Sequence, residues 1–389
     1  MSTASSLTPA AAPASPASAR RADLDGLRVW AIVILHLFHV GMMFNGWGWH
    51  LKNPEALHEL EPPMEVLHWV RMPLLMLIAG AATAFALEKR GLSAFLWDRV
   101  KRLLLPIVFG MLVIVPPQIY IERVASGAFH GSYLEFYPQV FRFQPYPAGD
   151  FSWHHLWFVV YLFVYSVVLV PLLGLLLGAV RNQLRAPLRL PPWLLCLGFL
   201  PLAGSYYWLR HYPETHALLD DPRTVLHYGA LFVYGHLLGR APEAWHWMHQ
   251  QRGKLAVALL VLSAIMLPPN EWPMPFELLG GFAFLWAVLL TALAWAPRWF
   301  PRRTPALQHA QALAYPFYIL HQTVIVLVGF ALLSHPSSRL VPAGAWPRFA
   351  LVLVLSFLAT WACCEIFARL RWLRPLLGMP PRSAASRRV

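Results

Sequence analysis

The stretch RVWAIVILHLFH, Arg28 to His39, is apolar enough to sit in a lipid bilayer, yet it carries two imidazoles, His36 and His39, near its end. Runs of this kind dominate what the chain can fold into. Lipid gives backbone N–H and C=O groups no partners, so a spanning segment must satisfy its own hydrogen bonds. A spanning helix needs about 20 mostly apolar residues. Ten such runs are present, at 26–46, 66–87, 103–121, 155–180, 191–209, 225–239, 255–270, 276–296, 311–333 and 347–368. The expectation is an all-α, polytopic transmembrane helical bundle of about ten spans. Composition agrees, since 58% of the residues are hydrophobic and 13% charged, where soluble domains carry about one quarter charged.

In a soluble protein a formal net charge of +13 would suggest nucleic acid. Here the positions of the charges explain it. With alternating connections, 23 of the 31 Lys and Arg fall on the side of the N-terminus. The other eight are Lys52, Arg71, Arg123, Arg142, Arg210, Arg223, Arg339 and Arg348. The positive-inside rule then predicts both termini in the cytoplasm, and no nucleic-acid partner is expected. Residues 1–21 are rich in Ala, Ser, Thr and Pro and read as a disordered tail. A transmembrane domain over 22–378 follows, then a basic tail at 379–389. The first apolar run is too long for a cleaved signal peptide and reads as a retained helix. Cys196, Cys363 and Cys364 lie in expected spans, so neither a disulfide framework nor a thiolate metal site is indicated.

Polar groups inside a bilayer are costly, which makes each one a functional candidate. Arg28 and His39 are eleven residues apart, about 20° different in azimuth on a helix and roughly 16 Å apart along its axis. They share a face, Arg28 at the cytoplasmic edge and His39 past the midplane. Snorkelling by Arg28 and a structural hydrogen bond from His39 are the simpler reading of that spacing. In LHWVRMPLLMLIAG, Arg71 lies at about the depth of His39 on the next, antiparallel helix. It is either an interfacial arginine or a fixed cation beside an imidazole base, able to stabilise developing negative charge. DRVKRLLLP places Arg99, Lys101 and Arg102 at the cytoplasmic end of the third span. These are either ordinary positive-inside charge or, with Arg28, a clamp for the phosphates of a nucleotide-bearing donor. Glu365 stands four residues before Arg369, as an ion pair would. His154 and His155 do not have the spacing of a metal site on one helix face, and no metal is expected. The Trp and His residues of NGWGWHLKN and SWHHLWF suit either an interfacial aromatic belt or stacking on sugar rings.

Taken together, these motifs resemble the acyltransferase-3 family of integral membrane O-acyltransferases, most nearly its glucan succinyltransferase branch. LDGLRVWAIVILHLFH is similar to that family's first helix, VRMPLLMLIAG to its second, DRVKRLLLP to the basic pair before its third and HLWFVVYLFVYS to its fourth. LAYPFYILHQTVIV and the late Glu365 followed by LRPLLG match its end, so the resemblance covers about residues 22–378. It implies transfer of an acyl group, acetyl or succinyl, from cytoplasmic acyl-CoA to a hydroxyl of an extracytoplasmic glycan such as a periplasmic glucan. It further implies His39 as the essential histidine, Arg28 as its paired arginine, Arg71 as the arginine before the second-helix proline, and Arg99 and Arg102 as the donor-binding pair. The bacterial inner membrane, with its lipids, is the implied location. From another class, ten spans with intramembrane charge also suit a transporter of a glycan, a lipid-linked sugar or an acyl carrier. No internal symmetry of the kind common in transporters is visible.

Overall fold

The computed structural model describes residues 21–176, 191–268, 272–334 and 341–380. Among these residues every regular element is helical, apart from one isolated bridge between Pro145 and Phe151. In chain order the main helices are α1 (Ala22–Phe44), α2 (Glu61–Lys89), α3 (Leu92–Ala125), α4 (Trp157–Leu176), α5 (Phe199–Trp208) and α6 (Pro222–Gly239). They continue as α7 (Pro242–Gln250), α8 (Arg252–Met266), α9 (Met274–Trp299), α10 (Pro305–Leu333) and α11 (Ala345–Arg369). Seven of these, α1 to α4 and α9 to α11, are long and apolar enough to cross a membrane. The runs expected at 191–209, 225–239 and 255–270 fold as α5, α6 and α8, of 10, 18 and 15 residues. They are helical, as the sequence suggests, but do not add to the seven. Residues 1–20 and 381–389 of the expected tails lie outside the described residues.

Local chemistry fixes the helix ends that matter for the site. Asp23 and Asp25 stand in the first turn of α1, where carboxylates oppose the helix dipole. At its other end Lys52 folds back from the following loop, donating to the Met42 carbonyl at 2.6 Å, to the Asn45 side chain at 3.1 Å and to the Asn45 carbonyl. A cation there satisfies carbonyls that the helix leaves unpaired. Burial pulls the Lys52 ammonium down to about 8, although Glu61 works in the opposite direction. Thr304 caps α10 by accepting from the Leu307 N–H at 3.2 Å, with Pro305 at the first helical position. Asp221 caps α6 by accepting from Thr224 N–H at 2.9 Å, and its second oxygen accepts from Thr215 and His216 N–H at 2.8 and 2.9 Å. One carboxylate thereby starts a helix and ties down the loop before it.

Two contacts set the bundle. α2 and α6 approach backbone to backbone, because Gly80 faces the Phe232 carbonyl and Gly235 faces the Leu77 carbonyl. A methyl at either glycine would fall inside those oxygens. Small residues at such a crossing are the means by which helices in lipid pack closely. α10 is the central helix and packs on α1, α3 and α11. The third helix is not regular: it widens into π-helical turns at Val100–Leu104 and Gly110–Ile114. Wide turns of this kind cluster at functional sites.

Candidate active site

His39 projects from α1 toward α10, where its Nδ1 lies 2.8 Å from Nε2 of His321, with ring centroids 4.9 Å apart. His321 Nδ1 in turn lies 2.7 Å from the Tyr318 carbonyl oxygen. A carbonyl only accepts, so the proton of a neutral His321 sits on Nδ1 and its Nε2 is an acceptor. His39 must then donate through Nδ1, which leaves its Nε2 as the nitrogen with the free lone pair. The two residues are 282 positions apart in sequence, and together they form a histidine dyad with a defined tautomer.

His321 is held in place by a larger buried network. Tyr318 donates its hydroxyl to the His155 carbonyl, and His155 Nε2 donates to the Ile319 carbonyl at 2.9 Å. Gln118 of α3 donates to Thr323 Oγ1 at 2.6 Å, and Thr323 donates to the Ile114 carbonyl, inside the second wide turn, at 2.7 Å. The irregular stretch of α3 therefore gives up a backbone oxygen to the helix carrying His321. Gln118 and His321 are buried, at 0% and 1% exposure, so the dyad cannot swing freely.

Arg71 is also buried. Its guanidinium lies over the Phe38 ring, 3.5 Å from the centroid. One terminal nitrogen donates to the Leu67 carbonyl at 3.2 Å, another stands 3.4 Å from His68 Nδ1, and Nε has no hydrogen-bond partner. His39 and Arg71 line the same cavity of about 530 Å³, together with Phe38, Trp47, Trp49, Glu65, His68 and Trp69. A smaller cavity beside it shares His68 and Trp69 and is lined further by Glu214, Arg223 and His227. Burial is the largest single influence and pushes the Glu214 carboxyl up, but the His216 hydrogen bond at 3.1 Å and the charges of His216, His68 and Arg223 together outweigh it and hold the group at about 2. Aromatic walls, an imidazole and fixed charges of both signs thus meet at the end of α1 farther from the N-terminus.

The other expected residues lie at the opposite end. Arg28 stands 3.7 Å from Asp25, one turn before it. Asp98, which sequence reasoning passed over, gathers Arg90 at 3.0 Å, Arg99 at 3.1 Å and Arg102 at 2.9 Å. Lys101 is not in that group: it is exposed and lies 4.8 Å above the exposed Trp97 ring. Arg99 Nε is buried without a partner, as is the hydroxyl of Tyr315, which is within electrostatic reach of Arg99. From Tyr315 a face of α10 runs through Tyr318 to His321, the first two rings stacked at 6.5 Å and the next pair 5.9 Å apart. His36, one step around α1 from His39, bonds to Ser356 of α11 at 3.0 Å and sits edge-on to Phe317 and Phe357. Glu365, expected to pair with Arg369, is bonded instead to His309 of α10 at 2.5 Å. Packing of α10 on α11 brings that partner nearer than the residue one turn along.

The described residues thus form a helical bundle with seven helices long and apolar enough to cross a membrane, in which the His39 imidazole and the buried Arg71 guanidinium line one aromatic cavity. Residues 21–365 match the acyltransferase-3 family, described as an acyltransferase domain, and the chain belongs to that family. Among curated proteins it is similar to Glucans biosynthesis protein C of Escherichia coli strain SMS-3-5 / SECEC, 24% identical over 140 residues. The protein of the same name from Escherichia coli strain K12 is 23% identical over 140 residues. Each match spans 35% of this chain and 34% of the relative, so the chain covers about a third of the length of those relatives. No solved structure matches.

Proposed function

We propose that this integral membrane acyltransferase moves an acetyl or succinyl group from cytoplasmic acyl-CoA to a hydroxyl of an envelope glycan, with a periplasmic glucan as the leading acceptor. The observation that carries the reading is the dyad: His39 lines the cavity with its Nε2 lone pair left free and its tautomer set by His321 and Tyr318. The nucleotide end of the donor binds at the near end, among Arg28, Arg99 and Arg102. Arg99 Nε and the Tyr315 hydroxyl are buried polar atoms there without partners, as a site for a polar ligand requires. Lys101, exposed over Trp97, contributes to the surface charge and to headgroup contact rather than to the clamp. The pantetheine arm follows the face of Tyr315 and Tyr318 toward His321. The thioester then stands beside His39, roughly 16 Å along the helix from Arg28.

The acceptor comes from the other side and rests against Trp47, Trp49 and Trp69, whose flat faces suit sugar rings. His39 Nε2 takes the proton of the acceptor hydroxyl as its oxygen attacks the thioester carbonyl. Negative charge develops on the former carbonyl oxygen, and Arg71 stabilises it. Collapse of the tetrahedral intermediate expels the CoA thiolate, which recovers the proton from the imidazolium. His39 holds positive charge only while His321 accepts from Nδ1, so the dyad is stabilised when the charge appears. The test is to supply purified protein in proteoliposomes with isotope-labelled acetyl-CoA or succinyl-CoA inside and glucan outside, and to analyse the glucan by mass spectrometry. Labelled ester on the glucan is expected; a transporter would move material without forming an ester or consuming thioester.

A further inference from the structure

We infer that His50, Glu122 and His154 form a divalent-cation site of the zinc type on the side of the bundle away from the N-terminus. It clamps the loop after α1 to the end of α3 and to the start of α4. Neither the family relationship nor the proposed reaction calls for this site, and the inference does not depend on either.

The three residues come from segments distant in sequence, and each offers one ligand atom within 4.8 Å of the others. Two imidazoles and one carboxylate are a common protein ligand set for zinc, with a fourth position left to water. A tetrahedral centre with bonds of 2.0–2.1 Å wants its ligand atoms about 3.3 Å apart, so side-chain rotation would open the His50–Glu122 contact and close the wider gaps to that spacing. The direct hydrogen bond between His50 Nδ1 and Glu122 Oε2 is the contact a cation would replace.

The surroundings are built for ligation. His154 Nδ1 lies 2.9 Å from the Ser152 hydroxyl, while its Nε2 is buried and has no hydrogen-bond partner. A ligating imidazole has this arrangement, with one nitrogen fixed by an outer partner and the other held for the metal. Glu122 uses its second oxygen to accept from the Tyr146 hydroxyl at 2.9 Å, and His50 Nε2 meets the Gln322 side-chain amide at 3.1 Å. His154 and Glu122 therefore have their remaining polar atoms engaged as a ligating residue requires. His154 also has φ of 37°, a left-handed backbone that a non-glycine residue adopts only where its surroundings impose it. Arg123, next to Glu122 in the chain, is compensated by Asp150 at 3.1 Å. Because Gln322 follows His321 directly, an ion at this site would also steady the helix that carries the dyad.

The test uses the full chain purified in detergent, stripped with a chelator, and titrated with zinc chloride. Metal content is read by elemental mass spectrometry, and zinc-dependent thermal stabilisation by fluorescence. About one zinc per chain is expected, together with a raised melting temperature. Glu122→Gln keeps an acceptor for Tyr146 and should weaken zinc binding about tenfold or more. His154→Ala should remove the stabilisation, while His130→Ala, in the exposed part of the same loop, should not. If either site variant is lost to misfolding, cobalt titration of the wild-type chain decides, since tetrahedral cobalt with nitrogen ligands has an intense visible spectrum. Wild-type protein that takes up no zinc, or zinc retained equally in Glu122→Gln and His154→Ala, overturns the assignment.

Discussion

Replacing His321 with Phe probes the part of the site that depends most on geometry. Phe keeps the ring volume between His36, Phe317 and His39 but offers no acceptor to His39 Nδ1, now 2.8 Å from the His321 nitrogen. A buried donor left without a partner costs about 1–3 kcal/mol. If His39 acts as base, the pair also shares the proton-derived charge, and a similar cost falls on the transition state. At 1.36 kcal/mol per tenfold, turnover should fall about 5–150-fold, with little change in KM for acyl-CoA. His321→Gln, whose carbonyl can accept, should recover part of the loss. His36→Phe instead breaks the bond to Ser356 and should leave turnover close to wild type. The assay is initial-rate thiol release from acyl-CoA in the presence of acceptor. A His321→Phe enzyme with wild-type turnover, or a His36→Phe enzyme with the larger defect, would refute the reasoning.

Three further outcomes follow from the same contacts. Gly235→Ala places a methyl inside the Leu77 carbonyl and must force α2 from α6, at about 1–3 kcal/mol for overpacking. A lowered melting temperature in detergent is expected, and an unchanged one would mean that the helices do not cross there. Asp98→Asn removes the charge shared by Arg90, Arg99 and Arg102. If those arginines clamp phosphates, KM for acyl-CoA should change with little effect on kcat, whereas an unaltered KM would count against the clamp. Glu214 has its carboxyl held at about 2 against an ordinary 4.5, so its contribution to the loop before α6 is complete above pH 4.5. That contribution is lost as pH falls from 4.5 toward 2. Hydrogen exchange of residues 209–221 should rise across that window in the wild type and be already raised, without the transition, in Glu214→Gln.

Much of the fold is legible in the sequence, because lipid forces an apolar segment to become a helix and, within the described residues, each apolar run did so. The three segments that fall short as spans are the ones where His227, His236 and Arg223 or a short apolar length dilute the pattern. The site is legible only in pieces. Helix periodicity puts Arg28 and His39 on one face, and antiparallel succession brings Arg71 beside His39. No spacing rule joins His39 to His321, because their contact depends on which distant helix packs against α1. For the same reason Glu365 pairs with His309 across a helix interface and not with Arg369 along its own helix. Asp98 went unread because a lone acid in a basic run looks like a neutralising charge, and only the folded turns show three arginines converging on it. His50, Glu122 and His154 share no local pattern; loops bring them together.

The most direct measurement is transfer by His39→Ala, compared with wild type in proteoliposomes loaded with labelled acyl-CoA. Membrane insertion and melting temperature serve as controls for folding. If His39 is the base, the variant should insert normally and form no labelled ester above the protein-free background. Substantial ester formation by a correctly inserted His39→Ala enzyme would contradict the assignment at its centre.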